Sequence, residues 1–315
     1  MNRLRKKLHL SILGYLLVAC FACIVQSCAE SQAPKKLFEH VVIIGIDGLS
    51  SDGLHRAETP VMDYLIANGS VKYDMRAVLP SNSMANWGAM ICGAHTEASG
   101  ITSNSWEPDG QWMQPVTKNQ AGLFPTIYDL IREQIPDSEL GAIYHWGAFG
   151  RMVPEKVANY RLHCPTADEA TEKAREYIVA KKPNFLFIHL DHVDGAGHRY
   201  GYKSDDYLKV VANCDSLIGR IVESVRAAGM AENTLIMVVS DHGGFNKGHG
   251  GESTCEVDVP IILYGSGIKR NYTVQQAVYV FDVGATAAFA LNLKVPHAWT
   301  GRPVLAVFEG HSEPE

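Results

Sequence analysis

The stretch Val41-Val42-Ile43-Ile44-Gly45-Ile46 decides the fold, because it is apolar throughout and ends at Asp47-Gly48. Three further runs are similarly apolar: residues 185–190, in which His189 is the one polar residue, 235–239 and 260–264. Such runs are typical of strands that are covered on both faces, as in a parallel sheet. Amphipathic segments, the clearest over 205–228, separate the runs and indicate helices. The sequence therefore predicts a doubly wound α/β fold, with a mostly parallel sheet between two layers of helices.

Residues 1–27 have the pattern of an export signal, with a basic start and an almost uncharged apolar run over 8–25. Ser27-Cys28 follows this run, so the segment resembles a bacterial lipoprotein signal in which Cys28 becomes the acylated N-terminus. Cys20 is the alternative acylation site, and an uncleaved membrane span is the alternative to cleavage. Each interpretation predicts an exported domain, periplasmic or at the cell surface. The lipid anchor predicts attachment to the membrane.

The remaining chain is long enough for one large α/β domain over 38–315, joined to the leader by a tether over 28–37. Residues 101–165 are rich in Trp and Pro and only weakly periodic, which predicts a lid-like excursion that also contributes sheet elements. The net charge of -6 argues against binding to nucleic-acid polymers. Four cysteines follow the leader without C-x-x-C spacing: Cys92, Cys164, Cys214 and Cys255. Export permits one or two disulfides, although Cys92 and Cys214 have the apolar surroundings of buried thiols.

Acidic and imidazole side chains follow three of the predicted strands. In open α/β sheets, sites lie at the carboxyl ends of the strands, so these side chains are expected to converge. The converging set is Asp47, Asp194, His198, Asp241, His242 and His249. Three carboxylates packed together repel one another unless cations neutralise them. Mixed imidazole and carboxylate ligands suit two divalent metal ions, with Zn²⁺ favoured and Mn²⁺ or Fe as alternatives.

These motifs resemble the alkaline phosphatase superfamily, in particular its type I phosphodiesterase/nucleotide pyrophosphatase family. The resemblance covers residues 38–308 and is carried by Ile43-Ile44-Gly45-Ile46-Asp47-Gly48-Leu49, Thr59-Pro60, Pro80-Ser81-Asn82-Ser83-Met84-Ala85-Asn86, Asp194-x-x-Gly197-His198 and Ser240-Asp241-His242-Gly243. It implies an alkaline phosphatase-like fold and hydrolysis of a small phosphorylated substrate, of phosphodiester or nucleotide pyrophosphate type. It also implies roles for individual residues.

By resemblance, Ser83 is the nucleophile that forms a phosphoseryl intermediate, and Asn86 donates a hydrogen bond to a phosphoryl oxygen. The resemblance divides the ligands between the metal that activates the nucleophile (Asp47, Asp241, His242) and a second metal (Asp194, His198, His249). A helix that begins near Met84 would offer amide groups to phosphate, and a metal would activate the serine hydroxyl. Ser81 is the main rival of Ser83.

The chain departs from the family where Ser83 replaces Thr, Ala85 replaces Pro and Trp87 replaces a common His. These departures bear on substrate choice, and Trp87 and His145 are candidates for contact with the substrate. His189 and His192 flank the second cluster, where one of them is expected to support a ligand through a hydrogen bond or to be packed in the core.

Two alternative functions remain. A phosphomonoesterase or phosphotransferase of the same superfamily would use the same six ligands. A catalytically dead surface lipoprotein would bind partners through its tryptophans, but it is expected to lack at least one ligand, and none is missing. A sulfatase is excluded, because no Cys or Ser stands two residues before Pro and four before Arg. The oligomeric state is not readable from the sequence.

Overall fold

The structure is a computed structural model that describes residues 37–110, 112–153 and 155–314. The predicted signal peptide, nearly all of the tether, and both acylation candidates, Cys20 and Cys28, lie outside these residues. In the part of the chain that is described, no helix combines the length and the apolar character that a membrane span requires.

The described residues form one eight-stranded sheet with the order β4-β3-β5-β1-β6-β7-β2-β8. The strands are β1 His40–Ile46, β2 Ser70–Arg76, β3 Leu140–Tyr144, β4 Tyr160–His163, β5 Phe185–Leu190, β6 Thr234–Ser240, β7 Asp258–Tyr264 and β8 Tyr272–Thr273. β1 lies at the centre and pairs in parallel with β5 and β6. Only β7 runs against its neighbours within this sheet. The predicted mostly parallel sheet is confirmed.

The direction of β7 corrects the sequence-based expectation for residues 260–264. The core of this strand is buried, as predicted, but the strand runs antiparallel to β6 and β2. An uninterrupted apolar pattern reports that both faces of a strand are covered and carries no information on its direction. β7 therefore begins, rather than ends, at the edge of the sheet where β1 and β6 end.

Helices cover both faces of the sheet. They are α1 Ser51–Arg56, α2 Pro60–Ala67, α3 Ser83–Cys92, α4 Thr96–Ser99, α5 Ile127–Gln134, α6 Ala167–Lys181, α7 His192–Tyr200, α8 Asp205–Ala227, α9 Thr254–Val257 and α10 Asp282–Ala290. Val41 and Ile43 of β1 enter one hydrophobic core, while Val42 and Ile44 enter a second core on the opposite face. The alternation of side chains along one strand thus feeds two cores, as a doubly wound fold requires.

Residues 101–165 contribute α5, β3 and β4, together with a 3-10 helix over Gly147–Met152. β3 and β4 extend the sheet at one edge through parallel pairing. The lid-like role of this segment stays a prediction. The four cysteines that follow the leader are free thiols, and Cys92 and Cys214 are buried, as expected.

Candidate metal centre

Because of the register of the sheet, β1, β5 and β6 end at the same edge, next to the predicted ligands. Ile46, the last residue of β1, pairs with Leu190 of β5 on one side and with Ser240 of β6 on the other. Asp47 and Asp241 therefore leave neighbouring strands side by side. The remaining ligands come from α7, directly after β5, and from the loop before α9.

Asp47, Asp241 and His242 form what we call the buried half of the centre. Their side chains are at most 1% exposed. Asp47 Oδ1 and Asp241 Oδ2 each lie 3.3 Å from His242 Nε2. The hydroxyl of Ser83 lies 3.1 Å from the same nitrogen. Four oxygen and nitrogen atoms thus face one another in a space that is closed to bulk water.

Asp194, His198 and His249 form the open half, where the side chains are 13%, 47% and 9% exposed. Asp194 and His198 lie four residues apart on one face of α7, and Asp194 Oδ2 is 3.3 Å from His198 Nε2. Asp194 Oδ1 is 3.7 Å from His249 Nε2. The His249 ring stacks on that of His242 with a centroid distance of 3.7 Å, which joins the two halves.

The three predicted imidazole ligands share one tautomer. Nδ1 of His242 lies 2.8 Å from the Gly243 carbonyl oxygen, and Nδ1 of His198 lies 2.8 Å from that of Lys247. Nδ1 of His249 lies 2.9 Å from the carbonyl oxygen of Ser81. A carbonyl oxygen only accepts, so each Nδ1 carries the proton and each Nε2 presents a lone pair to the carboxylates.

The buried half carries the electrostatic signature of a cation site. Burial raises the pKa of Asp47 well above its ordinary value, and the neighbouring carboxylates of Asp241 and Asp194 raise this pKa further. Burial also raises the pKa of Asp241, against the lowering effect of a hydrogen bond from the Gly48 amide. Among the described residues, Asp47 Oδ1 and Asp241 Oδ2 have no hydrogen-bond partner. Buried carboxylate oxygens without partners are costly in the absence of a cation.

The spacing of the donor atoms also fits a metal ion. Ligands at about 2.0–2.2 Å from a tetrahedral ion lie roughly 3.3–3.6 Å apart. The carboxylate oxygens of Asp47 and Asp241 both lie 3.3 Å from His242 Nε2. Donor atoms of Asp194, His242 and His249 also lie within 4.8 Å of one another. The residues present therefore fit divalent cations, with His198 joined to the second group through Asp194.

Ser83 and Ser81 differ in their hydrogen bonds. Ser83 is the first residue of α3, and its hydroxyl faces His242. The hydroxyl of Ser81 donates to the Gly251 carbonyl at 2.7 Å and accepts from the Gly250 amide at 2.9 Å. Ser81 thus ties two loops together, whereas the Ser83 hydroxyl faces the cluster. The role of Ser83 as nucleophile stays a prediction.

The predicted role of Asn86 conflicts with its surroundings. Asn86 is fully buried, its Oδ1 accepts from the Val78 amide at 2.7 Å, and its Nδ2 donates to the Asn82 carbonyl at 3.0 Å. Because the oxygen and the nitrogen of the Asn86 side chain both bond backbone groups, this side chain stabilises the segment before α3 and has no free donor for a phosphate oxygen.

The predicted substrate contact of Trp87 is also wrong. Its ring is fully buried, and the indole Nε1 donates to Asp47 Oδ2 at 3.0 Å. His145 is partly buried, and its Nδ1 accepts from the Asp191 amide at 3.3 Å. Burial, followed by the nearby His189, lowers the pKa of His145. Its contact with the substrate stays a prediction.

Three residues near the centre were missed or only partly anticipated. Asn104 Oδ1 accepts from the Met84 amide at 2.9 Å, beside Ser83. The hydroxyl of Tyr202 donates to Asp194 Oδ1. His189 is fully buried, with Nε2 3.0 Å from Asp47 Oδ2, and matches the expected supporting histidine. No local pattern marks Asn104 or Tyr202, because their partners are defined only once the chain has folded.

The sheet, its helices and the paired clusters at the strand ends define an α/β fold of the alkaline phosphatase type. The sequence profile of the family described as Type I phosphodiesterase / nucleotide pyrophosphatase matches residues 41–246. The chain belongs to the type I phosphodiesterase/nucleotide pyrophosphatase family.

Individual relatives are distant. Bis(5'-adenosyl)-triphosphatase ENPP4 of Homo sapiens is 22% identical over 232 residues, which cover 69% of this chain and 49% of that protein. Ectonucleotide pyrophosphatase/phosphodiesterase family member 1 of Homo sapiens is 22% identical over 259 residues, covering 69% of this chain and 25% of that protein. The aligned region thus spans about half, or less, of these relatives.

Solved structures share the fold. Murine ectonucleotide pyrophosphatase/phosphodiesterase 5, in an inactive form in complex with AMP, has a TM-score of 0.69 at 17% identity. That match covers 82% of this chain and 96% of the murine chain. The human protein of the same name has a TM-score of 0.71 at 15% identity, covering 86% of this chain and all of the human chain.

Proposed function

We propose that this protein is a metal-dependent hydrolase of phosphate esters, of phosphodiester or nucleotide pyrophosphate type. One observation carries the proposal: the Ser83 hydroxyl lies 3.1 Å from His242 Nε2, beside two buried carboxylate oxygens that have no hydrogen-bond partner in the described structure. A serine hydroxyl needs activation to become a nucleophile, and this cluster is suited to supply it. Membership of a phosphodiesterase family supports the same reaction class.

We assign two divalent cations to the centre, and zinc suits the mixed imidazole and carboxylate donors best. Asp47, Asp241 and His242 would hold one cation, and Asp194, His198 and His249 the other. When bound, divalent cations would lower the pKa of the Ser83 hydroxyl and neutralise charge on the phosphate.

We infer that Ser83 Oγ attacks phosphorus, the bond to the leaving oxygen breaks, and water then hydrolyses the phosphoseryl intermediate. Asn104 takes the role that the sequence suggested for Asn86. The Asn104 Oδ1 accepts from the Met84 amide, next to Ser83. The side-chain NH₂ group is not used in this bond and would donate to an anionic oxygen beside Ser83. Donors fixed around a developing charge stabilise the transition state without reorganisation.

A nucleotide-like substrate is the most direct extension of the proposal, since a related structure holds AMP. A panel of p-nitrophenyl phosphate, bis(p-nitrophenyl) phosphate and a dinucleotide separates the two enzymatic alternatives. A preference for the diesters supports a phosphodiesterase, whereas turnover of the monoester alone indicates a phosphomonoesterase.

The S83A variant tests the nucleophile. It is expected to lose at least about 1,000-fold in turnover, because the remaining groups cannot form the covalent intermediate. Its zinc content is expected to stay that of the wild type. The S81A variant is the control, since it lacks the rival hydroxyl. Equal losses in both variants, or turnover retained by S83A, would contradict the assignment.

We also propose that the domain is exported and lipid-anchored, on the basis of the leader pattern over 1–28. The C28S variant is expected to lose lipid labelling and to leave the membrane fraction, whereas C20S keeps both. Labelling that is lost only in C20S would move the acylation site.

A further inference from the structure

The two oxygens of Asp47 have opposite surroundings. Oδ2 lies 3.0 Å from the indole Nε1 of Trp87 and 3.0 Å from Nε2 of His189. Oδ1 has no hydrogen-bond partner among the described residues and lies 3.3 Å from His242 Nε2. One oxygen of this carboxylate is thus saturated by donors, while the other faces the buried half of the centre.

We propose that Trp87 and His189 are positioning residues that hold Asp47 Oδ2 and leave Oδ1 alone to bind a cation. The inference rests on the metal centre of the proposed function and names residues that act through Asp47. An unsupported carboxylate could rotate and chelate with both oxygens, which changes the geometry of the ion. Two donors on one oxygen remove that freedom before any ion arrives.

The contacts distinguish His189 from a metal ligand, although donor atoms of Asp47, His189 and Asp191 lie within 4.8 Å of one another. A carboxylate oxygen without a proton only accepts, so His189 Nε2 carries the hydrogen towards Asp47. The lone pair of His189 is then on Nδ1, which points away from Asp47 and has no hydrogen-bond partner among the described residues. His242, His198 and His249 show the reverse arrangement, with the proton on Nδ1 and the lone pair on Nε2. The indole of Trp87 on the same oxygen cannot bind a metal at all.

Packing fixes both donors in place. The Trp87 ring meets the His189 ring edge-on, with centroids 5.1 Å apart, and meets Phe187 edge-on at 5.7 Å. Gly45 makes room for the indole, since a Cβ at this position would lie 2.7 Å from Trp87 Cη2. This explains the glycine that follows four β-branched residues in β1, two residues before Asp47. Gly45 of β1 thus accommodates Trp87, the residue that stands where the family commonly has His.

The W87F variant keeps most of the ring and removes the donor. We expect zinc to bind 10–100-fold more weakly, roughly the cost of losing a supporting hydrogen bond to a ligand. The affinity is measured by competition with a chromophoric chelator, and thermal unfolding of the metal-free protein reports the fold. The matched control is W299F, because Trp299 is also buried and its indole donates to the Pro125 carbonyl at 3.1 Å.

Wild-type affinity in W87F, or equal weakening in W87F and W299F, would overturn the proposal. If W87F does not fold, a pair of variants at His189 decides. H189Q keeps an amide donor near the position of Nε2 and is expected to bind zinc within about threefold of the wild type, while H189L is expected to match the loss predicted for W87F. Equal affinities in H189Q and H189L would overturn the role of His189.

Zinc stoichiometry separates this inference from the proposed function. Two ions per wild-type chain support both. A third ion that is lost in H189L would make His189 a ligand and overturn the inference alone. Wild-type protein that binds no zinc contradicts the proposed function, and the inference with it.

Discussion

The two halves of the candidate metal centre both place carboxylates next to imidazoles, but they differ in their exposure to water. In the buried half, the carboxylates of Asp47 and Asp241 are sealed from solvent and keep one oxygen each without a hydrogen bond. In the open half, the His198 side chain is 47% exposed, and both oxygens of Asp194 have contacts. The difference teaches that the buried half depends on a cation, whereas water can partly replace one in the open half.

The proposed nucleophile, Ser83, lies beside the buried half. Ser83 faces His242, and Trp87 and His189 both donate to Oδ2 of Asp47. The open half lies on α7 and on a glycine-rich loop, where the His198 side chain is exposed to water. We expect changes in the buried half to abolish metal binding in that half and to lower turnover strongly. Changes in the open half should weaken binding in a way that added metal reverses.

The largest expected effect is that of D241N in the buried half. Zinc content should fall from two ions to one, and turnover should drop by more than the roughly 10–100-fold cost of losing a supporting hydrogen bond. Elemental analysis and steady-state kinetics measure the two quantities. D215N is the matched control, since Asp215 is equally buried but accepts from the Val61 and Met62 amides, as a cap on α2. Full zinc content in D241N would refute the division into halves.

The next effect is that of H198N in the open half. Asn keeps a donor for the Lys247 carbonyl and loses the ligand nitrogen, so we expect zinc to bind the open half roughly 10–100-fold more weakly. Excess zinc should restore turnover. H40N is the control, because His40 Nδ1 contacts the Pro183 carbonyl at the start of β1, the opposite end of that strand from the centre. Turnover that zinc cannot restore would place His198 with the buried half.

A pH profile of the metal-free protein tests the cost of the buried carboxyls. Burial raises the pKa of Asp191 to about 7 and the pKa of Asp47 and Asp241 well above the ordinary value. A carboxyl with a raised pKa stabilises the fold while protonated, and this contribution is lost as pH rises through the folded-state pKa.

The buried carboxyls should therefore lower the free energy of unfolding of the metal-free protein between about pH 4 and pH 7, whereas His189 and His192, whose pKa burial lowers to about 4, act in the opposite direction. The free energy of unfolding of the wild type relative to that of D241N should therefore fall over this range, because D241N lacks one of the carboxyls and keeps both histidines. Chemical unfolding with and without a chelator measures the profiles. A wild-type profile that rises relative to that of D241N over this range contradicts the assignment.

The smallest effect is expected for Y202F. It removes the hydroxyl that donates to Asp194 and leaves the buried ring, so zinc affinity in the open half should fall about 10-fold. Y128F is the control, since the buried Tyr128 hydroxyl donates to the Gly141 carbonyl within the core. Loss of zinc from the buried half in Y202F would show that the two halves are not separable.

Much of the fold followed from local patterns. The apolar runs of β1, β5 and β6 and the polar residues at their ends are contiguous in the chain, so the parallel core of the sheet and the convergence of Asp47 with Asp241 could be predicted. The direction of β7 could not, because burial on both faces looks alike in either orientation. Direction depends on how residues 241–257 turn at the edge of the sheet.

The supporting contacts were beyond local reasoning for a similar reason. Trp87 was read as a substrate contact, although its indole crosses the core to reach Asp47, which is forty positions away in the chain. Asn86 was assigned from its resemblance to a family motif, whereas Asn104 reaches the start of α3 only through the fold. A hydrogen bond between distant segments leaves no periodic trace in a single sequence.

The most direct test of the account is mass spectrometry of the protein quenched with acid during turnover of bis(p-nitrophenyl) phosphate. The account predicts a phosphoryl ester on the peptide that contains Ser83, formed by the zinc-loaded wild type and absent from S83A. A phosphoryl ester on Ser81, or one that still forms in S83A, would contradict it.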